Sequence, residues 1–296
     1  MIQFTRVLCP VDFSEFSRHA VDHAAAIAGW YEAPLTIVHI LPTAPVLDLP
    51  PIVLERTQHD RLMNDLRTFT AHLPTTLPAD LRVEQGFDIH ETILRLAGET
   101  NADLLVMGSH GRSGFGHLLL GSVTEKVIRS APCPTMVVPR DARDRTPAGP
   151  VVFRRILCPV DLSPGSDCAL QFAVSLAEET DARLTLLHVI EIPPELSEFP
   201  VAGDIDIARL HAAAEADRLR RLREMIPEGA RAYCTVETSV REGAAYREIL
   251  RVAAERQADL IVMGVQGRGA LDLLVFGSNT ARVTRNASCP VLIVRK

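Results

Sequence analysis

A 22-residue passage occurs twice in this chain, and that repetition limits the fold more than any other feature. Residues 103–124 read D-L-L-V-M-G-S-H-G-R-S-G-F-G-H-L-L-L-G-S-V-T, and residues 259–280 read D-L-I-V-M-G-V-Q-G-R-G-A-L-D-L-L-V-F-G-S-N-T. Both run through a short apolar strand, a turn with glycines at Gly108 and Gly111 (Gly264 and Gly267), and a Gly-Ser pair (Gly121-Ser122 and Gly277-Ser278) that opens a helix. Gly108 and Gly111 can take φ > 0 and carry no Cβ, so successive backbone N–H groups can point at an anion that a bulkier residue would keep away. A helix N-terminus adds unpaired N–H groups and a positive dipole end.

The repetition extends beyond this passage. Residues 6–14, R-V-L-C-P-V-D-F-S, match residues 155–163, R-I-L-C-P-V-D-L-S, an offset of 149 (155 − 6). At the glycine passage the offset is 156 (264 − 108), so the second copy gains residues in between. A duplicated unit is thus expected, with one domain over residues 1–140, a linker over 141–152 and a second domain over 153–296. At 296 residues the chain is long enough for two separate cores.

Within each copy, strand-like runs alternate with helical patterns, which predicts a parallel sheet covered by helices. The first copy's strands are expected near 6–9, 35–40, 81–85, 104–107 and 135–138. Its first helix starts near Ser14, and the corresponding helix of the second copy starts at Ser163-Pro164, an N-cap followed by proline. Leu62, Leu66, Phe69 and Leu73 form one apolar face of the second helix, and Ile93, Leu94 and Ala97 one of the third. The proline-rich runs 42–51 and 193–200 read as connecting loops. Five parallel strands with right-handed crossovers give the order 3-2-1-4-5, in which ligands bind beyond the strand carboxyl ends where the order reverses, between strands one and four. Asp12 and Gly108 end those two strands, so both repeated motifs are expected at one crevice.

Composition excludes several classes. A net charge of −6 leaves no basic footprint for nucleic acid or anionic lipid. Lys126 and Lys296 are the only lysines, and no Walker lysine motif is present. The apolar runs are short for a membrane span, and the N-terminus lacks the pattern of a secretion signal. The six cysteines form no C-x-x-C pair and no metal-ligand spacing, which reads as reduced, buried thiols in a cytoplasmic protein. No catalytic motif and no metal site is expected: G-R-S-G-F lacks the last glycine of a nucleophile elbow, and H-E-x-x-H is absent.

C-P-V-D at 9–12 and 158–161, V-M-G-S-H-G at 106–111, V-M-G-V-Q-G at 262–267 and the two Gly-Ser signatures resemble a tandem-domain universal stress protein of the ATP-binding branch. The resemblance covers nearly the whole chain apart from the linker. It implies two Rossmann-like, adenine nucleotide alpha hydrolase-like domains, with ATP, with or without Mg²⁺, as ligand. In the first domain it implies a site of Pro10, Val11, Asp12, Ile40, Met107, Gly108, His110, Gly111, Arg112, Gly121, Ser122 and Val123. In the second the matching positions are Pro159, Val160, Asp161, Val189, Met263, Gly264, Gln266, Gly267, Arg268, Gly277, Ser278 and Asn279. Asn279 in place of Val123 and Val265-Gln266 in place of Ser109-His110 are departures that favour the first site.

Bland readings stand beside these. Asp12 and Asp161 can cap local backbone in a strand-to-helix turn. Ser122 with Glu125 fits a capping box, although Ala281 breaks that pattern in the second copy. His39 and His188 read as core residues, and Arg112 and Arg268 reach phosphate or simply face solvent. Three functional readings follow: an ATP-dependent stress or signalling module with at most slow hydrolysis, a slow ATPase or adenylate-using enzyme employing Asp12 and His110, and a nucleotide-free dimerisation scaffold. The last strands, T-M-V-V at 135–138 and V-L-I-V at 291–294, are apolar edges expected to pair with each other inside one chain, with a homodimer as a further option.

Overall fold

The computed structural model describes residues 2–43, 56–111, 120–139, 142, 153–191, 207–265 and 277–295. The chain divides into two compact units whose main bodies part between Val152 and Phe153. The linker, except for Ala142, and most of both proline-rich runs lie outside the described residues.

In the first repeat the elements follow in the order β1 (Val7–Val11), α1 (Glu15–Trp30), β2 (Leu35–Pro42), α2 (Arg56–Thr70), β3 (Ala79–Gly86), α3 (Ile89–Glu99), β4 (Leu104–Gly108), α4 (Ser122–Ser130) and β5 (Thr135–Val138). The second contains β6 (Arg155–Pro159), α5 (Pro164–Thr180), β7 (Arg183–Ile190), α6 (Ile207–Met225), β8 (Thr235–Glu242), α7 (Ala245–Glu255), β9 (Leu260–Gly264), α8 (Ser278–Asn286) and β10 (Val291–Val294). The sheet order is β3-β2-β1-β4-β5 in the first repeat and β8-β7-β6-β9-β10 in the second. This is the expected 3-2-1-4-5 arrangement, and the strand pairs β1–β2, β1–β4, β2–β3, β4–β5, β6–β7, β6–β9 and β7–β8 are parallel.

Local chemistry explains where helices begin. Ser14 caps α1 by accepting the backbone N–H of Ser17, and Ser163 caps α5 through a reciprocal box with Ser166 ahead of Pro164. Asp88 caps α3 by accepting the N–H of His90. Strands one and four are buried along their whole length, as a sheet covered on both faces requires. On one face Leu8, Val38, Ile93, Leu96, Leu105 and Val127 form a single apolar cluster that joins β1, β2 and β4 to α3 and α4. Burying each such side chain stabilises by roughly 1.5–3 kcal/mol.

Two strands are longer than their sequence suggests. β1 continues through Pro10 to Val11, because it keeps pairing with β2 as far as Val11↔His39. β3 extends to Ala79 and Gly86, because β2 pairs with it residue for residue from Leu35↔Ala79 to Pro42↔Gly86. The apolar face of α2 is present at Leu66 and Phe69, which are buried, while Leu62 is half-buried and Leu73 lies beyond the helix end.

Candidate functional site

The candidate site lies at the carboxyl ends of β1 and β4, where the first of the expected residues past β1 is Asp12. Its Oδ1 accepts the Ser14 backbone N–H at 3.1 Å and a short hydrogen bond from the Ser17 hydroxyl, while its own N–H donates to Ser17 Oγ at 3.1 Å. In the second repeat Asp161 Oδ1 accepts the Ser163 N–H at 3.1 Å and the Ser163 hydroxyl. The local capping role is therefore present in both copies. The residue after each aspartate, Phe13 (φ 63°) or Leu162 (φ 62°), adopts the left-handed conformation that glycine would occupy more easily. Phe13 is held there by rings: its centroid lies 4.3 Å from that of His39 and 5.5 Å from that of Phe69.

The glycine turn meets this aspartate. A Cβ placed on Gly111 would come within 2.5 Å of Asp12 Oδ2, so the loop backbone lies directly against the carboxylate. The glycines work by close approach and not by unusual dihedrals: among the described residues Gly243 alone among glycines has a positive φ. Gly108 is needed because a Cβ there would sit 2.9 Å from the Phe16 backbone carbon, where α1 crosses β4. Gly121 is less confined, its nearest neighbour being the Ser109 carbonyl oxygen at 3.3 Å from such a Cβ.

Gly121, not Ser122, is the N-cap of α4, and it makes no side-chain cap. The capping-box reading of Ser122 is thereby overturned, since Ser122 is already inside the first turn. The first helical hydrogen bond runs from the Glu125 N–H to the Gly121 carbonyl at 2.9 Å. Glycine has no side-chain oxygen, so among the described residues the leading N–H groups of Ser122, Val123 and Thr124 receive no side-chain cap from the N-cap position. The same frame recurs in the second copy, with Ala281 N–H bonding Gly277 O at 2.9 Å. In both repeats the N-terminal glycine also donates back to the strand-four loop, Gly121 to Ser109 O at 2.9 Å and Gly277 to Val265 O at 3.0 Å.

Other expected residues divide between rim and core. Ile40 lies just past the last β1–β2 pair, on the crevice rim, but its side chain belongs with Met107 to the apolar cluster, against which Val123 also packs. Buried side chains at Ile40 and Met107 leave the main chain there to face a ligand, whereas Val123 is half-buried. Val189 lies past the last β6–β7 pair, Pro159↔Leu187, and Met263 is buried in β9. Pro10 and Val11 are buried in β1; Pro159 ends β6 and Val160 follows it. His110 Nδ1 lies 3.0 Å from Ser109 Oγ, with the ring beside Phe16. Gly264, Ser278 and Asn279 take positions equivalent to Gly108, Ser122 and Val123. Arg112, Gln266, Gly267 and Arg268 lie outside the described residues. His39 and His188 are core residues, each donating Nδ1–H to a strand-one carbonyl, Val11 at 2.9 Å and Val160 at 2.8 Å.

Sequence reasoning missed two threonines. Buried Thr124 donates its hydroxyl to Gly108 O at 3.0 Å, and Thr280 does the same to Gly264 O at 3.0 Å. Each ties the helix N-terminus to the end of strand four, and G-S-x-T at identical spacing in both copies was the available signal. Asp103 and Asp259 are a second repeated device, accepting backbone N–H groups of Thr5 and Arg6, and of Arg154 and Arg155, at the opposite end of the sheet.

Among the described residues no group of three or more His, Cys, Asp or Glu could hold a metal ion, and no helix is long and apolar enough to cross a membrane. A glycine-lined loop beside an uncapped helix N-terminus can bind an anion through main-chain donors.

Comparisons with known proteins bear on the family and the fold. The universal stress protein family model matches residues 3–139 and 153–295. A universal stress protein of Mycolicibacterium smegmatis is 28% identical over 312 residues, covering 98% of this chain and 96% of that protein. One from Methanocaldococcus jannaschii is 32% identical over 149 residues, 50% of this chain and 85% of its own length. The crystal structure of a universal stress protein from Archaeoglobus fulgidus covers 99% of this chain and 97% of its own, with a TM-score of 0.67 at 22% identity. With two family matches that together span nearly all its residues, the chain belongs to the universal stress protein family.

Proposed function

We propose that each repeat binds ATP in the crevice between strand one and strand four, and that the molecule acts as a nucleotide-dependent stress or signalling module in the cytoplasm. The observation that carries this reading is the uncapped helix N-terminus at Gly121, facing a loop whose Gly111 lies against Asp12. A triphosphate supplies the negative charge those donors lack, and Asp12, beyond β1, stands where a nucleoside hydroxyl would donate to it. Mg²⁺ would arrive with the phosphates.

Hydrolysis is at most slow in this account. Asp12 Oδ1 accepts from Ser14 and Ser17, and His110 Nδ1 lies against Ser109 Oγ, so both side chains are oriented by the local frame, and no Walker lysine stands beside them. Turnover on the order of 10⁻⁴–10⁻² s⁻¹, the range of unassisted nucleotide switches, is expected. Pairing of the apolar last strands, Thr135–Val138 with Val291–Val294, is part of the proposal, since an unpaired apolar edge invites association. A homodimer would add to that arrangement.

Thermal unfolding with and without nucleotide tests the reading. ATP at about 100 times its dissociation constant should add roughly 2.7 kcal/mol of stability. Gly121→Val should remove the first repeat's share by placing methyl groups where phosphate approaches. An unchanged melting temperature at millimolar ATP overturns the proposal in favour of a nucleotide-free scaffold.

A further inference from the structure

The hydrogen-bonded ladder between the two central strands stops early, in both repeats and at the same place. β1 and β4 pair only at Val7↔Leu104 and Leu8↔Leu105. Both strands continue, β1 pairing with β2 as far as Val11 and β4 with β5 as far as Gly108, but no longer with each other. In the second repeat β6 and β9 pair only at Ile156↔Leu260 and Leu157↔Ile261.

Backbone direction identifies the cause. In a parallel ladder the N–H and C=O of one residue turn toward the same neighbour, and successive residues alternate. Val7 donates to Pro34 O on the β2 side at 3.0 Å, so Val7, Cys9 and Val11 address β2 while Leu8 and residue 10 address β4. Leu105 donates to Pro134 O on the β5 side at 3.0 Å, so Val106 and Gly108 address β1. Residue 10 would therefore be the next donor to β4, meeting the Val106 carbonyl, and it is proline, which has no N–H. By the same alternation Val160, which donates to Leu187 O at 2.8 Å, leaves Pro159 addressing β9.

The structure also shows what enters the fork. The next β4 acceptor past Val106 on that side is Gly108 O, and it is taken by the Thr124 hydroxyl from the first turn of α4; Gly264 O is taken by Thr280 in the same way. We infer that Pro10 and Pro159 are positioning residues: by withholding one donor each keeps its fork unzipped, so that the threonine can seat the helix N-terminus there with its leading N–H groups aimed into the crevice. The inference rests on the nucleotide-binding reading and assigns to the two prolines the orientation of the anion donors, not contact with the ligand.

The test compares the full chain with Pro10→Ala and Pro159→Ala by calorimetric titration with ATP, and by hydrogen exchange of the new amide. Each substitution should weaken its own repeat's site at least tenfold and leave the other unchanged, with the amide of residue 10 or 159 protected. Replacing residue 10 by the α-hydroxy analogue of alanine, which lacks an N–H as proline does, should restore affinity, whereas a role through ring shape alone would not be rescued. If Pro10→Ala does not fold, Pro159→Ala and the ester variant carry the same comparison. Wild-type affinity in the alanine variants overturns the inference while leaving the nucleotide reading intact; absence of ATP binding by the wild type overturns the reading beneath it.

Discussion

Replacing Gly108 and Gly121 separately by alanine should give opposite phenotypes, although the sequence presents both as parts of one phosphate-holding pattern. At Gly108 the added Cβ would lie 2.9 Å from both the Phe16 carbonyl carbon and its Cβ, and 3.0 Å from the Phe16 carbonyl oxygen. Carbon atoms in contact prefer about 3.5–4.0 Å, so the overlap is more than half an ångström against helix backbone, which cannot swing away. Overpacking of this kind costs about 1–3 kcal/mol, and helix α1 would have to lift from β4. For a chain of this size about 2 kcal/mol corresponds to a drop in melting temperature of roughly 4–8 °C. At Gly121 the nearest atoms to the added Cβ are at 3.3, 3.4 and 3.5 Å, so crowding is slight. Exchange of glycine for alanine at an N-cap should cost less than about 1 kcal/mol. The Gly121→Ala methyl would instead stand beside the helix donors and weaken ATP binding at that repeat by about tenfold, or ~1.4 kcal/mol. Urea denaturation reads the first quantity and calorimetric titration the second. The reasoning fails if Gly108→Ala is as stable as the wild type, or if Gly121→Ala is the more destabilised of the two.

Thr124→Val removes the hydroxyl that satisfies the buried Gly108 carbonyl, and should cost about 1–2 kcal/mol by urea denaturation, with a similar loss for Thr280→Val. Burial holds the His23 imidazole below its ordinary range, against the pull of the His19 carbonyl that it bonds at 2.8 Å. The folded state therefore keeps His23 neutral while the unfolded chain takes up a proton. Stability from this group is complete above about pH 6.5 and declines as pH falls toward the lowered folded value, with a slope approaching ~1.4 kcal/mol per pH unit that His23→Gln should flatten. Burial also pushes the thiols of Cys158 and Cys133 up to about 12, and that of Cys9 upward as well. At pH 8 these cysteines should be alkylated on the order of a thousandfold more slowly in the folded protein than in urea, a difference that mass spectrometry measures directly.

Much of the frame was legible because duplication displays each local signal twice. Ser14 and Ser163 cap their helices as their spacing indicates, and the strand order follows from parallel connections with right-handed crossovers. The convergence of Asp12 on the glycine turn was legible for the same reason, since both end strands that flank the reversal. Less accessible were features that depend on which way a backbone group points. Pro10 looks like a strand terminator when read alone, yet in place it lies inside a central strand whose pairing with β2 it leaves intact. Gly108 looks like a flexible turn residue, whereas close helix crossing is what requires it. Thr124 bonds across 16 residues to a carbonyl, a contact that neither periodicity nor propensity encodes. The left-handed Phe13 carries no glycine or asparagine to announce it, and its ring contacts with His39 and Phe69 come from separate elements.

Amide-resolved NMR during titration with ATP tests the central claim most directly. The account predicts the largest shifts at the N–H groups of Gly108 to Gly111 and Ser122 to Thr124, with a corresponding set at Gly264 and at Ser278 to Thr280. Saturable binding that moves other amides and leaves these groups still, or no binding at all, would contradict it.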